Sequence, residues 1–386
     1  MSEDGLRLYW YWPFAREEDF ALALATPGPH DSLMLHALDR PGVPRLDAGR
    51  VTVRADLPDV ATVEARSLRW ARSRATTYRA RATARRHAVE QGAFDVCHVA
   101  FLNQYTDMFD LPRLAKTTNL VTTVHDVVPH RSRFPRAVQD RILARLYSVC
   151  GTIVVHHADV GMELTERFAV DPESVHVVPH WVSPFRAADD RRSLSDAHRV
   201  LFFGTLRENK GILGLLDAVA QLPAAANVRV HIAGRGDDDL ERAVLAAADR
   251  LPALTAEVGW ITPERKAELF READLAVLPY TAFASQSGVL HDAFGNHLPA
   301  IVTDVGALRA SIEDPGAGWV VPTNDSSALA AALVEAFRDP IGWQRRSDAA
   351  RTVAIDQAPE RVGAALRAVY AKAVEVGGSS AESLRA

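Results

Sequence analysis

Arg207 and Lys210 lie three residues apart in the run Gly204-Thr205-Leu206-Arg207-Glu208-Asn209-Lys210-Gly211, and Lys210 is one of four lysines among 44 basic residues. The others are Lys116, Lys266 and Lys372. An apolar, strand-like run at 200–203 precedes the segment, and a helical apolar pattern at 212–222 follows it. That is a strand-to-helix turn, where a helix N-terminus and two cations converge on an anion. The plainer reading is a solvated basic loop, but a second stretch argues against it. Ser287, Gly288 and Val289 open the helical pattern that carries Asp292, and first-turn amides have no partner inside their own helix. They form a second anion seat, while Gly204 lets a ligand approach the backbone. Asp292 falls about one turn further on, where a carboxylate accepts hydrogen bonds from vicinal hydroxyls. Together these groups describe a nucleotide diphosphate. Arg207, Lys210, Gly204 and residues 287–289 take the phosphates, Asp292 takes the ribose, and Gly234 and Trp260, at neighbouring strand ends, take the base.

The elements that must hold these residues are written as an alternation. From residue 199 on, strand-like runs at 200–203, 228–233, 255–258, 275–279, 300–302 and 319–321 alternate with helical patterns near 212–222, 239–250, 263–272, 288–296, 306–312 and 326–337. Thr262-Pro263 supplies a capping hydroxyl before a first-turn proline. Such alternation predicts a parallel sheet with helices on both faces, with ligands beyond the carboxyl ends of its strands. The first half follows the same grammar, with strands expected at 6–11, 32–35, 51–53, 96–101, 120–124, 153–155 and 175–178. The chain is therefore expected to be α/β, with two doubly wound, Rossmann-like domains facing a cleft. The polar run 186–199 reads as the linker. The domains are expected at 1–190 and 191–345, a helical segment at 346–376 packing back on the first domain, and a disordered tail at 377–386.

A length of 386 residues fits two domains, and 48% hydrophobic with 24% charged residues fits sizeable cores. A formal charge of -5 argues against a general nucleic-acid binder, which must neutralise phosphates. Cys97 and Cys150 sit in apolar stretches and read as buried thiols. No run approaches the ~18 apolar residues of a membrane span, and no basic-then-apolar leader opens the chain. A soluble, cytoplasmic protein with at most peripheral membrane contact is expected. The eight arginines at 66, 69, 72, 74, 79, 81, 85 and 86 read as a solvated helical face, with a helix lying on anionic lipid or a bound anionic acceptor as the alternatives. In the aromatic run from Tyr9 to Phe14, core packing explains half the rings, and Trp10 and Trp12 are the candidates to face an acceptor ring.

Residues 200–340 resemble, in order, the second domain of retaining glycosyltransferases of the GT-B fold, family 4 in particular. The carrying motifs are the 204–211 segment, His231-Ile232-Ala233-Gly234, Val258-Gly259-Trp260, residues 273–279, the run from Gly295 through Pro299 and Asp304 to Gly306, and Gly318 to Pro322 with Asp325 and Ala328. The resemblance implies that Arg207 and Lys210 hold the donor diphosphate and Asp292 the ribose. It also implies retention of anomeric configuration, no metal and no cofactor, a nucleotide-sugar donor and a C-terminal donor domain paired with an N-terminal acceptor domain. The sequence departs from the family pattern at 284–287, where Ser285-Gln286-Ser287 replaces the usual glycine-aromatic-glycine, and after the first strand, where the run from Tyr9 to Phe14 stands in place of a glycine-rich loop. The family has two acids spaced E-x7-E; Asp292 matches the second, but Ala284 stands at the first, so Gln286, Ser287 or the local backbone substitutes in holding the donor sugar. In the first half, 121–129 resembles the family's histidine turn. His125, at a strand end beside Asp126, is implied to contact the donor sugar, and Asp126 joins Trp10 and Trp12 as an acceptor candidate. A hydrogen-bonded core histidine is the alternative for His125; His156 and His180 read as structural.

No Gly-x-Ser-x-Gly elbow is present, and Gly234-x-Gly236 lacks the third glycine of a dinucleotide fingerprint. The expected activity is transfer of a sugar from a nucleotide diphosphate to an acceptor hydroxyl on a small molecule, glycan or glycolipid. An epimerase or phosphorylase of the same fold, or a non-catalytic nucleotide-sugar binder, are the alternatives.

Overall fold

The computed structural model describes residues 5–15, 19–40, 43–59, 68–105, 107–128, 134–282 and 287–383, without the side chains of 68, 71 and 378–383. By its contacts the chain divides into two units, one running to His180 and resuming at Pro359, the other Trp181–Ala358.

The first unit comprises β1 (Arg7–Tyr11), α1 (Phe20–Ala25), β2 (Ser32–Leu38), β3 (Leu46–Ala48), β4 (Val51–Leu57), α2 (Leu68–Gly92), β5 (Val96–Val99), α3 (Asp107–Leu114), β6 (Asn119–Val124), α4 (Arg136–Val149), β7 (Thr152–Val155), α5 (Ala158–Phe168) and β8 (Val175–Val177). Its sheet has the order β3-β4-β2-β1-β5-β6-β7-β8, parallel except for the β3–β4 pair. The central position of β1 corrects one expectation. A central parallel strand is covered on both faces, so the aromatic run is interior from Tyr9 through Trp12, Trp10 and Trp12 being 1% and 4% exposed. Neither offers a face to an acceptor; Phe14, 47% exposed, is the ring of that run that reaches the surface.

The arginine-rich segment also differs from a uniformly solvated face. Arg85 on α2 is fully buried, bonding Asp107 at 2.8 Å and Asp110 at 3.0 and 2.5 Å, with its guanidinium 4.3 Å over the Tyr11 ring. Arg81 donates to the Pro58 carbonyl at 2.7 Å. Two of the eight arginines are thus internal struts, paired because an unpaired buried charge is prohibitively costly. Cys97 and Cys150 are buried free thiols, as expected.

The second unit comprises β9 (Arg199–Phe203), α6 (Ile212–Ala220), β10 (Arg229–Gly234), α7 (Asp238–Ala248), β11 (Leu254–Val258), α8 (Pro263–Glu272), β12 (Leu275–Leu278), α9 (Gly288–Gly295), β13 (Ala300–Thr303), α10 (Leu308–Glu313), β14 (Gly318–Val321), α11 (Ser326–Arg338) and α12 (Pro340–Asp356). Every expected strand and helix of this half is present, because buried parallel strands read as unbroken apolar runs. Thr262 caps α8 by accepting from the Arg265 amide at 3.2 Å. The sheet is parallel throughout, in the order β11-β10-β9-β12-β13-β14. Taken in chain order this is the 3-2-1-4-5-6 winding, whose ligand crevice opens where the order reverses, between β9 and β12.

The segment 186–199 is built into this unit. The buried guanidinium of Arg192 donates to the carbonyls of Arg271 and Asn296 at 3.0 Å each, and to that of Ala273. Asp274 accepts from the Ser195 hydroxyl at 2.5 Å and the Arg199 amide at 2.8 Å. The polarity that suggests a linker is consumed by internal hydrogen bonds. Of the expected 346–376 segment, α12 packs within the second unit, its Trp343 indole donating to the Asp274 carbonyl at 2.9 Å. After Pro359 breaks the helix, α13 (Pro359–Ser383) packs on α1, β5 and β6 of the first unit. There Arg367 meets the buried carboxylate of Asp31 at 2.5 Å, and Tyr370 meets His98 at 2.6 Å. The helix continues through Gly377 to Ser383, where a disordered tail was expected. Gly377 lies so close to Asn119 that a β-carbon would come within 2.0 Å of its side-chain oxygen.

Candidate nucleotide site

The turn after β9 is shaped by backbone contacts before any ligand is considered. The Gly204 amide bonds the Ala233 carbonyl at 3.0 Å, and the Leu206 amide bonds the Arg235 carbonyl at 2.9 Å. Arg207 then points into solvent, and residues 208–210 form one tight turn ending in Lys210. Gly211 follows at φ +69°, and a β-carbon there would stand 1.7 Å from the Pro279 carbonyl oxygen. Only glycine permits both the left-handed angle and that approach. The turn is thereby laid directly on the chain leaving β12. Two further bonds fix it: the Thr281 amide to the Asn209 carbonyl at 3.0 Å, and the Asn209 side-chain amide to the Ala282 carbonyl at 3.3 Å.

Lys210 and the second anion seat are brought together by Tyr280. The Lys210 ammonium stands 3.5 Å over the centroid of that ring. The Tyr280 hydroxyl reaches Ser287 Oγ at 3.3 Å, and Ser287 is the N-cap residue of α9. The first turn of α9 also lies against Gly204, where an added β-carbon would be 3.7 Å from Val289 Cγ2. Gly204, Lys210, Ser287, Gly288 and Val289 therefore occupy one neighbourhood, at the point where the strand order reverses. Partial burial, reinforced by the positive charge of Arg207, pulls the Lys210 ammonium down to about 8. It stays charged at neutral pH but is poised to gain from an anion.

Asp292 sits one turn into α9 as expected, but it is paired with Lys266 of α8 at 2.8 Å, the two side chains being 15% and 17% exposed. The ammonium of Lys266 lies 5.8 Å from the Phe185 ring and 5.9 Å from the Phe203 ring. In the sequence Lys266 stands out only as a scarce lysine, with no neighbouring residue to give it a role. Its scarcity was the available signal.

Gly234 and Gly259, at the ends of β10 and β11, are joined by an amide-to-carbonyl bond of 2.9 Å. Gly234 also abuts the Gly204 carbonyl, where a β-carbon would be 1.8 Å from the oxygen. The next residue, Trp260, is 72% exposed, with the Arg235 guanidinium 5.3 Å over its ring. Such an exposed indole is a flat face available to a base. Gln286 and Ala284, the positions at issue for the donor sugar, lie outside the described residues.

In the first unit, His125 follows β6 and donates from Nε2 to the Ala100 carbonyl at 3.0 Å. Its ring stacks on Phe101 at 4.3 Å with an interplanar angle of 16°. Burial lowers its pKa below the ordinary histidine value, against a smaller opposing effect of the Ala100 hydrogen bond and the adjacent Asp126. The ring row continues to His156 at 5.0 Å and to His180 at 5.1 Å. A hydrogen-bonded, largely neutral imidazole at a strand end satisfies a structural role and leaves Nδ1 as a lone-pair acceptor.

Comparison with known proteins bears on the family and the fold. The family described as "Glycosyl transferases group 1" matches residues 197–339, and "Glycosyltransferase Family 4" matches residues 18–186. A phosphatidyl-myo-inositol mannosyltransferase of Mycobacterium leprae is 33% identical over 148 residues, covering 38% of this chain and 39% of that protein. A D-inositol 3-phosphate glycosyltransferase of Geodermatophilus obscurus is 28% identical over 291 residues, covering 66% of this chain and 62% of that one. The matched region thus spans about two fifths of the length of the mannosyltransferase relative. Among solved structures, a glycosyltransferase from Rickettsia africae superposes with a TM-score of 0.68 at 13% identity, covering 97% of this chain and 98% of that one. Anabaena HepE, solved in complex with UDP-glucose, gives 0.63 at 14% identity, covering 97% and 100%. At such identities the likeness is one of fold.

Proposed function

We propose that this chain, which belongs to the group 1, family 4 glycosyltransferases, moves a sugar from a nucleotide-diphosphate donor to an acceptor hydroxyl with retention and without a metal. The observation that carries the reading is the turn bearing Arg207 and Lys210, fastened to the stretch after β12 and joined through Tyr280 to the N-cap of α9. In the transfer, the bond from the anomeric carbon to the phosphate oxygen breaks and its electron pair stays with the departing diphosphate. Arg207, Lys210 and the amides of 287–289 offset that growing charge. Because the charge grows along the reaction path, they stabilise the transition state more than the bound donor. The acceptor oxygen bonds to the same face of the anomeric carbon, and its proton passes to the departing phosphate oxygen. No further reagent is needed for the balance.

Asp292, held by Lys266, takes the ribose hydroxyls; Trp260 takes the base; His125 is assigned to the transferred sugar. The names of the relatives make an inositol-bearing acceptor the first to assay. The test has two stages. Thermal shift with UDP, GDP, ADP and dTDP identifies the base, since a ligand of the folded state raises stability by mass action. The matching nucleotide sugars are then incubated with and without myo-inositol or inositol phosphate, with and without EDTA. Acceptor-dependent release of nucleoside diphosphate, unchanged by chelator, is the expected result. Stabilisation by none of the nucleotides sinks the proposal. A sugar isomer formed without acceptor makes the enzyme an epimerase, and rescue of a chelated sample by magnesium or manganese removes the metal-free part.

A further inference from the structure

Tyr280 is 1% exposed, yet it is placed unlike a core ring. One face carries the Lys210 ammonium at 3.5 Å, and its hydroxyl meets the N-cap side chain of α9 at 3.3 Å. Its own backbone is pinned as well, the Tyr280 carbonyl accepting from Thr303 Oγ1 at 2.5 Å. The residues on either side are clamped to the lysine's turn: Pro279 against Gly211, Thr281 and Ala282 against Asn209. A phenylalanine would keep the ring face under Lys210 but lose the hydroxyl, and an aliphatic side chain would lose both.

We propose that Tyr280 is a positioning residue for the diphosphate: its ring seats the Lys210 ammonium, and its hydroxyl ties that seat to the N-terminus of α9. This rests on reading the site as one for a nucleotide diphosphate. The physical case turns on what kind of partner a phosphate-binding lysine can have. A carboxylate would fix the ammonium but compete with the phosphate for it. An aromatic face fixes it through the ring quadrupole and carries no formal charge of its own to compete with the phosphate. Anchoring the same ring to Ser287 means that the cation and the helix amides keep a set spacing, so little ordering is left for the ligand to impose.

Inorganic pyrophosphate is the probe, titrated calorimetrically into the full chain. Tyr280→Leu is expected to weaken binding about 2- to 30-fold with Lys210 present and not at all in Lys210→Met. Tyr280→Phe, which keeps the ring, is expected to lose about 2- to 10-fold, and that loss disappears when Ser287 is changed to Ala. Phenylalanine analogues of increasing fluorination at position 280 keep the packing and drain the negative ring face, so affinity should fall stepwise. If Tyr280→Leu does not fold, the fluorinated series decides alone. A flat series, or equal losses from Tyr280→Leu with and without Lys210, overturns the role of Tyr280 and leaves the site reading standing. Failure of the unaltered chain to bind pyrophosphate or any nucleoside diphosphate overturns both.

Discussion

Raising the pH through 8 should weaken diphosphate binding while strengthening the fold, and both effects come from Lys210. Its ammonium is drawn from 10.5 down to about 8 by burial and by Arg207. In the free protein the residue is therefore half neutral near pH 8. A bound diphosphate favours the charged form and lifts the pKa again, so binding above pH 8 must be accompanied by proton uptake. The apparent affinity should fall about tenfold per pH unit in that range, or about 20-fold between pH 7.5 and 9.5. Folding carries the opposite sign. Between pH 8 and 10.5 an unfolded chain still holds the proton that the folded one has released, so this residue makes folding more favourable as pH rises through that window. Calorimetry at pH 7.5, 8.5 and 9.5, in buffers of unlike ionisation enthalpy, reads both affinity and proton uptake. Lys210→Met should bind more weakly with a flat profile, and its melting temperature should gain less than that of the native chain above pH 8. Equal affinity at pH 7.5 and 9.5, or the same slope in Lys210→Met, refutes the reasoning.

Arg207→Ala and Lys210→Ala should each lower turnover about 30- to 1000-fold, with melting temperatures close to the native value, because both lie on a turn and leave no large cavity; normal rates in both would move the diphosphate elsewhere. Asp292→Ala should weaken a nucleoside diphosphate and its full donor by the same factor while sparing inorganic pyrophosphate, and a loss for pyrophosphate would place Asp292 on the phosphates. Asp31→Ala should destabilise the first unit by about 3 kcal/mol in urea titration, since Arg367 and the amides of Leu6 and Gly28 all donate to this carboxylate; unchanged stability would show the α13 contact to be idle. Burial pushes the Asp31 pKa up, but the same bonds together outweigh it and hold the pKa below its usual value, so its contribution is present above about pH 4 and lost as the pH falls further.

How much of this was legible depended on whether a residue's partner lies near it in sequence. The strands of the second half could be read because a strand buried on both faces is a continuous apolar run. The turn proposed to hold the diphosphate could be read because its parts, a strand end, a helix start and two cations, fall within ten residues. Lys266 and Asp292 are 26 positions apart on different helices, and no periodicity links them. Arg85 and Arg192 were misread for a related reason. A charge satisfied inside the fold has the same letter as one satisfied by water, and only the facing aspartates or carbonyls distinguish them. Trp10 and Trp12 failed differently: alternation predicts one buried face, but a strand at the middle of a covered sheet has two.

The return of α13 to the first unit has a consequence for how the protein is made. Residues 181–358 are an uninterrupted stretch between two parts of one body. On the ribosome the second unit is therefore complete before the first can be. Asp31, near the beginning of the chain, waits for Arg367, and His98 waits for Tyr370. Until then the surface later covered by α13 on α1, β5 and β6 is open to solvent. Domains of a nascent chain usually close in order from the N-terminus; here the body begun first is finished last.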